Sequence, residues 1–222
     1  MLIASPRHTR DDLRVWAERE RMDRRLARSG ALDRPFAMAA QAVADFLDGG
    51  PAYVSVSWGK DSTVLADLVL RVAPRTPLIW FAAEGVENPD CALVRDEFLR
   101  RWPARYFEIG VPGDGDPDSW DVSSRSARRI SGLRAEESST RALSAAVHGV
   151  ATARSCRPLL RWCAEHVYAY LAARDLPVHP AYACSLGGTI DRRHLRVGPL
   201  GGERGTGHGR AEWERRYYGI GR

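Results

Sequence analysis

Two hydrophobic rhythms alternate along this chain. Residues 9–29 are mostly charged, and Leu13, Trp16 and Leu26 give them only a thin apolar stripe. Thr9 offers an N-cap hydroxyl, Asp11 and Asp12 place negative charge in the first turn, and Gly30 stands where a helix would end. The pattern predicts a helix that docks on the surface of its own domain or on a partner subunit. A second helix follows Asp33, with Pro35 in its opening turn. Phe36, Ala39, Val43, Phe46 and Leu47 recur on one helical face as far as Gly49 and Gly50.

From there the rhythm changes. Residues 53–57 read as a short strand, 63–73 return to helical period, and 78–83 are a continuous apolar run of the kind buried on both faces of a sheet. Residues 88–101 predict a helix, 105–109 a third strand, 110–124 a loop rich in Gly, Pro, Asp and Ser, and 129–134 a fourth strand. A further helix over 158–174 carries Leu159, Trp162, Val167, Tyr170 and Leu171. Strands that alternate with helices imply parallel βαβ units. The expected fold is therefore α/β: a Rossmann-like parallel sheet with helices on both faces, an N-terminal helical extension and an irregular Arg/Gly-rich C-terminal tail.

Composition narrows the picture. At 222 residues and 44% hydrophobic, the chain has the size of one ordinary domain with a real core. No apolar stretch approaches the roughly 18 residues that span a bilayer, and the N-terminus turns charged too early for a signal peptide. A cytoplasmic, membrane-free protein is expected. Cys91, Cys156, Cys163 and Cys184 include no C-x-x-C pair, which suits buried or half-exposed thiols, and no iron–sulfur cluster is expected. The net charge of +5 and the pI near 9.3 suit an anionic substrate. Of 33 basic residues, Lys60 alone is lysine.

That lysine stands in Ser57-Trp58-Gly59-Lys60-Asp61-Ser62, where strand, loop and helix meet within six residues. The first turn of a helix leaves N–H groups without intrahelical partners at the positive end of its dipole, and an oxyanion satisfies them. Gly59 clears the approach, Ser57 and Ser62 add hydroxyls, and Lys60 adds a compact charge. Asp61 is out of place beside an anion unless it caps the helix or positions a cation. The spacing is not that of the NTPase P-loop.

The loop resembles the S-x-G-K-D-S pyrophosphate loop (PP-loop) of the ATP pyrophosphatase superfamily. Gly132-Leu133-Arg134-Ala135-Glu136-Glu137-Ser138-Ser139-Thr140-Arg141 is similar to the G-x-R-x-x-E-S-x-x-R segment of the phosphoadenosine phosphosulfate (PAPS) reductase-like family. Pro158-Leu159 to Tyr170 and Leu176-Pro177 to Tyr182 resemble its P-L-x-x-W and L-P-x-x-P-x-Y continuations. The resemblance implies an adenine nucleotide bound by Ser57, Gly59, Lys60, Asp61, Ser62, Gly132 and Arg134, with Lys60 and Asp61 catalytic and Arg141 on phosphate or sulfate. Independently of family, Arg134 and Arg141 after a buried strand suit anion binding, or else surface salt bridges with Glu136 or Glu137. The corresponding division is N-terminal helices over 1–50, a nucleotide-binding domain over 51–186, and a tail over 187–222 that closes over the site.

One element of the family pattern is missing. Its reductases use a cysteine in a C-terminal E-C-G-x-H motif, whereas Glu203-Arg204-Gly205-Thr206-Gly207-His208 has none, and no cysteine follows Cys184. The expectation is therefore the superfamily's other chemistry. An acceptor attacks the α-phosphorus of ATP, pyrophosphate leaves, and the acceptor is activated, in sulfur transfer. Asp61, Glu84 and Glu87 are candidate ligands for Mg²⁺ in that reaction, or ordinary loop carboxylates. In the tail, Arg192, Arg193 and Arg196 are candidates for a second anion. With Trp213, Tyr217 and Tyr218 among further arginines, the same tail also suits a nucleic-acid surface or a solvated basic segment. The alternatives are a phosphosulfate (PAPS or adenosine phosphosulfate) reductase with a non-standard thiol, and a nucleotide-binding regulatory or nucleic-acid-binding module. The acceptor stays open between a small molecule and a nucleic acid, and a homodimer or partner subunit would use the N-terminal helix.

Overall fold

The computed structural model describes residues 1–111, 127–186, 188–200 and 217–219. Five parallel strands, β1 (Tyr53–Val56), β2 (Leu78–Ala83), β3 (Tyr106–Val111), β4 (Arg129–Ser131) and β5 (Ser155–Cys156), form one sheet in the order β3-β2-β1-β4-β5. The helices are α1 (Arg10–Arg28), α2 (Asp33–Asp48), α3 (Lys60–Val72), α4 (Pro89–Arg101), α5 (Ser139–His148) and α6 (Ala164–Ala173). The α/β class expected from the alternating periods is the class that folds. None of the described helices is long and apolar enough to cross a membrane.

From β1 the chain steps outward through β2 to β3, then returns to the opposite side of β1 for β4 and β5. The strand order thus reverses between β1 and β4. In open parallel sheets, ligands bind in the crevice at the carboxyl ends of the strands where the order reverses.

Local chemistry sets the elements. Thr9 caps α1 in a full capping box with Asp12, and Gly30 follows with φ +80°. Although mostly charged, α1 packs along α6, with Trp16 edge-on to Tyr168 at 6.3 Å and Arg24 donating to the Ala172 carbonyl. Phe36 of α2 stacks on Tyr170 of α6. Within α3, nine of the thirteen residues are buried, which makes it the central helix of the core.

The structure departs from the periodic reading in several places. Helix α3 starts at Lys60, inside the expected loop, because Gly59 is its N-cap and the Ser62 and Thr63 hydroxyls both donate to the Gly59 carbonyl. Helix α6 starts at Ala164 rather than 158. Leu159 and Trp162 are buried at helical spacing, yet their segment is a turn whose carbonyls serve other groups: Leu160 accepts from the Ala135 amide and Trp162 from Arg134. Strand β4 stops after three residues, and the chain turns through Gly132 into a 3-10 turn at Ala135–Glu137. Strand β2 buries Leu78 and Trp80 on one face and Ala83 on the other but leaves Ile79, Phe81 and Ala82 half-buried, so it is not sealed on both faces along its length. Helix α5 and strand β5 were not anticipated. Gly110 and Val111 of the expected loop extend β3, and the rest of that loop lies outside the described residues, as does most of the tail beyond 200.

Candidate functional site

The carboxyl ends of β1 and β4 flank a cavity of about 260 Å³ at the reversal point. Ser55, Ser57, Gly59, Lys60, Asp61 and Ser62 line one side, and Ser131, Gly132 and Leu133 the other. Arg141 comes from α5, Tyr182 from the turn after α6, and Arg196 and Val197 from the tail. The two walls touch closely: a Cβ added at Gly132 would lie 3.1 Å from both the carbonyl carbon and the oxygen of Asp61. Trp58 holds the bend that starts the loop. Its φ of +56° is unusual for a bulky residue, and its fully buried indole packs on Phe98 at 5.5 Å and Tyr106 at 5.8 Å.

The loop's polar groups are more committed than the sequence implied. Ser62 donates its hydroxyl to Gly59 and accepts from the Ser57 amide, so it braces the turn. The Lys60 amide donates to the Tyr182 hydroxyl at 3.2 Å. The first-turn N–H groups of Asp61 and Ser62 have no intrahelical acceptor and remain the natural anion donors. Lys60 is only 2% exposed; its ammonium donates to Asp61 Oδ2 at 2.8 Å and to the Leu195 carbonyl at 3.2 Å, and lies 5.3 Å from the centre of the Tyr182 ring.

Asp61 resolves into a bridge between two cations. Its Oδ1 accepts from Arg134 Nε at 2.6 Å while Oδ2 holds Lys60. Burial would raise this carboxyl, but the Lys60 and Arg134 charges outweigh it and hold it below the usual carboxylate range. Arg134, 1% exposed, also donates to Glu136 at 2.5 Å and to the Trp162 carbonyl at 3.4 Å. It stands behind Asp61 and is not among the residues that line the cavity.

The remaining candidates divide. Arg141 lines the cavity and pairs with Glu137, which also accepts from the Arg134 amide. Arg196 lines it with no ion pair among the described residues. Arg192 does not reach the cavity: it grips Asp23 of α1 through two contacts, 2.6 and 2.5 Å, and stacks on Tyr168 at 4.3 Å. Arg193 is exposed and pairs with Asp191. Arg192 thus ties the tail to α1, while the pair made by Arg193 stays within the tail. Tyr182, which caps the loop, stands in the sequence as part of a motif whose spacing carries no sign of this hydroxyl contact.

The magnesium candidates do not assemble. Both Asp61 oxygens are taken by cations, and Glu87 accepts from the Ala83 and Asn88 amides at 3.1 and 3.0 Å. Glu84 and Glu87 line a separate hollow that shares no residue with the loop cavity. Among the described residues, no group of three metal-ligating side chains forms. This donor set does not fit a resident metal ion. No cysteine lines the cavity either: Cys91, Cys156 and Cys184 are buried and Cys163 is partly so. Burial pushes the Cys156 thiol up to about 11, and raises Cys91 and Cys163 as well.

Fold and site together define an α/β protein with a polar cavity at the strand reversal, built by a glycine-started helix and a close-packed glycine turn. Residues 123–198 match the phosphoadenosine phosphosulfate reductase domain family. A phosphoadenosine 5'-phosphosulfate reductase of Gloeobacter violaceus is 27% identical over 175 residues, 67% of this chain and 71% of that one. Its namesake from Synechococcus sp. is 28% identical over 162 residues, 60% and 70% of the two chains. A crystal structure of phosphoadenylyl-sulfate (PAPS) reductase from Candida auris, a phosphate complex, superposes with a TM-score of 0.47 at 13% identity over 64% of this chain and 81% of that one. The chain is thus similar to the phosphoadenosine phosphosulfate reductase domain over residues 123–198, and to the two named reductases over a longer stretch.

Proposed function

We propose that this chain is a phosphosulfate-nucleotide enzyme of the reductase type, working with a thiol that another molecule supplies. The observation that carries the reading is the cavity at the β1–β4 reversal, lined by first-turn residues of α3 together with Arg141 and Arg196, where both lining carboxylates, Asp61 and Glu137, are already paired with cations. A phosphosulfate anhydride suits that arrangement, and the named relatives support this substrate class.

In this reaction a thiolate attacks the sulfonyl sulfur. The sulfur–oxygen bond to phosphate breaks, the nucleotide leaves with both electrons of that bond, and the thiol carries the sulfonate. A second thiol then attacks the first sulfur, releasing sulfite and leaving a disulfide. The loop's part is to stabilise charge that grows on the departing phosphate, through the α3 amides and the Lys60 ammonium. Lys60 is already desolvated and oriented, so it needs no reorganisation as that charge develops.

A second reading is favoured by one observation, the absence of any cysteine from the cavity lining. In it the same loop receives the pyrophosphate of ATP while an acceptor oxygen attacks the α-phosphorus. The two separate in one experiment. The chain is incubated with PAPS or adenosine phosphosulfate plus a dithiol, with sulfite as the readout, and in parallel with ATP, with pyrophosphate exchange as the readout. The expected result is sulfite that persists when all four cysteines are serine and is lost in Lys60→Ala. Exchange without sulfite would replace the first reading with the second.

A further inference from the structure

Helix α5 is inside-out. Its inward side carries Arg141, Ser144 and Ala145, with Ser144 accepting from Arg157 at 3.1 Å. Its outward side carries Leu143 and Val147, one turn apart and each 68% exposed, and the helix buries no residue at all. Short helices in water owe their stability mainly to burial of an apolar face, and ten residues are too few to hold without it. Two residues beyond its end, Val150 forms part of a hollow of about 360 Å³ floored by Pro35, Met38, Pro158 and Trp162.

Both charged residues that line the hollow are arginines, Arg34 and Arg161. From Ser138 to Cys163 the chain holds Arg141, Arg154, Arg157 and Arg161 and not one carboxylate. Neither Arg34 and Arg161 nor Arg154 is ion-paired among the described residues. We infer that α5 and the adjoining hollow dock an acidic amphipathic segment of a partner protein. Its apolar side chains would cover Leu143 and Val147 and anchor in the hollow, and its carboxylates would meet the guanidinium rim. A second copy of this chain would bring the same uncompensated arginines against themselves. A concave hollow suits an inserted side chain better than the flat face of a lipid bilayer. Because Arg141, at the start of α5, lines the nucleotide cavity, the docked segment would sit beside that cavity; the inference does not depend on which nucleotide reaction occurs there.

The test uses the full chain and a short synthetic helical peptide with leucines on one face and glutamates flanking them, an analogue with lysine for glutamate, and phosphatidylglycerol vesicles. Saturable binding of the glutamate peptide is expected, weaker by at least about tenfold for the lysine analogue, for the Leu143→Ser, Val147→Ser double variant and at high salt. Hydrogen exchange over residues 139–148 should slow on binding, while the double variant keeps its nucleotide affinity and melting temperature. Failure of the glutamate peptide to bind, equal affinity for both peptides, or binding untouched by the double variant would overturn the proposal. Self-association abolished by the double variant, or binding to vesicles but not to peptide, would overturn it in favour of another occupant.

Discussion

At the scale of single residues, the site depends on a buried triad of charges, Lys60, Asp61 and Arg134, more than on any group reaching out to ligand. Removing one member leaves the others buried and uncompensated. Arg134→Ala is expected to cost about 3–5 kcal/mol in chemical denaturation, although Arg134 does not line the cavity. Gly132→Ala sets a Cβ against the Asp61 backbone, which cannot yield as a flexible side chain would; a loss of about 1–3 kcal/mol in stability should accompany weaker nucleotide binding by calorimetry. His179 supplies the pH dependence. It is 1% exposed, close to Asn88 Oδ1 at 3.3 Å, and burial lowers its pKa to about 3. The unfolded chain therefore takes up a proton that the native state refuses, so stability falls as pH drops from about 6.5 toward 3, at up to about 1.4 kcal/mol per unit. Urea melts across that range should show the slope, and His179→Gln should flatten it. Sequence spacing alone left Asp61 unexplained, because the arginine that answers it stands 73 residues away.

Among the elements, the reading from periodicity was strongest where one amphipathic face meets one core. Helices α1, α2 and α4 fall within a residue or two of expectation because caps at Thr9 and Asn88 and the glycines after α1 and α2 mark their ends locally. It failed at 158–163 and at α5. In the first, buried leucines mimic a helix while their carbonyls are claimed by another segment. In the second, the apolar face turns outward. The tail's attachment to α1 is also tertiary. Arg192→Ala would strand Asp23, itself 4% exposed, and is expected to cost about 3–5 kcal/mol; Asp23→Asn with Arg192→Gln together should cost less than the two single changes added. Thr9→Ala tests the N-terminal cap, with about 1 kcal/mol expected in thermal melts.

For the whole molecule, the order of the strands locates the site. Alternating periods determined by themselves that the chain would form a parallel α/β sheet, and that a glycine-lysine bend would open one of its helices, because hydrophobic period and backbone amides are local properties. The sequence also held the segments that converge there, in 57–62 and 132–141. Which of their charges face a ligand and which face one another was decided only by the fold. The reversal between β1 and β4 brings distant segments within hydrogen-bonding reach, so Arg134 and Arg192 are spent on Asp61 and Asp23, while Arg141 and Arg196 are left at the cavity. Charge type is written residue by residue; charge partnership is a property of distances that only packing sets.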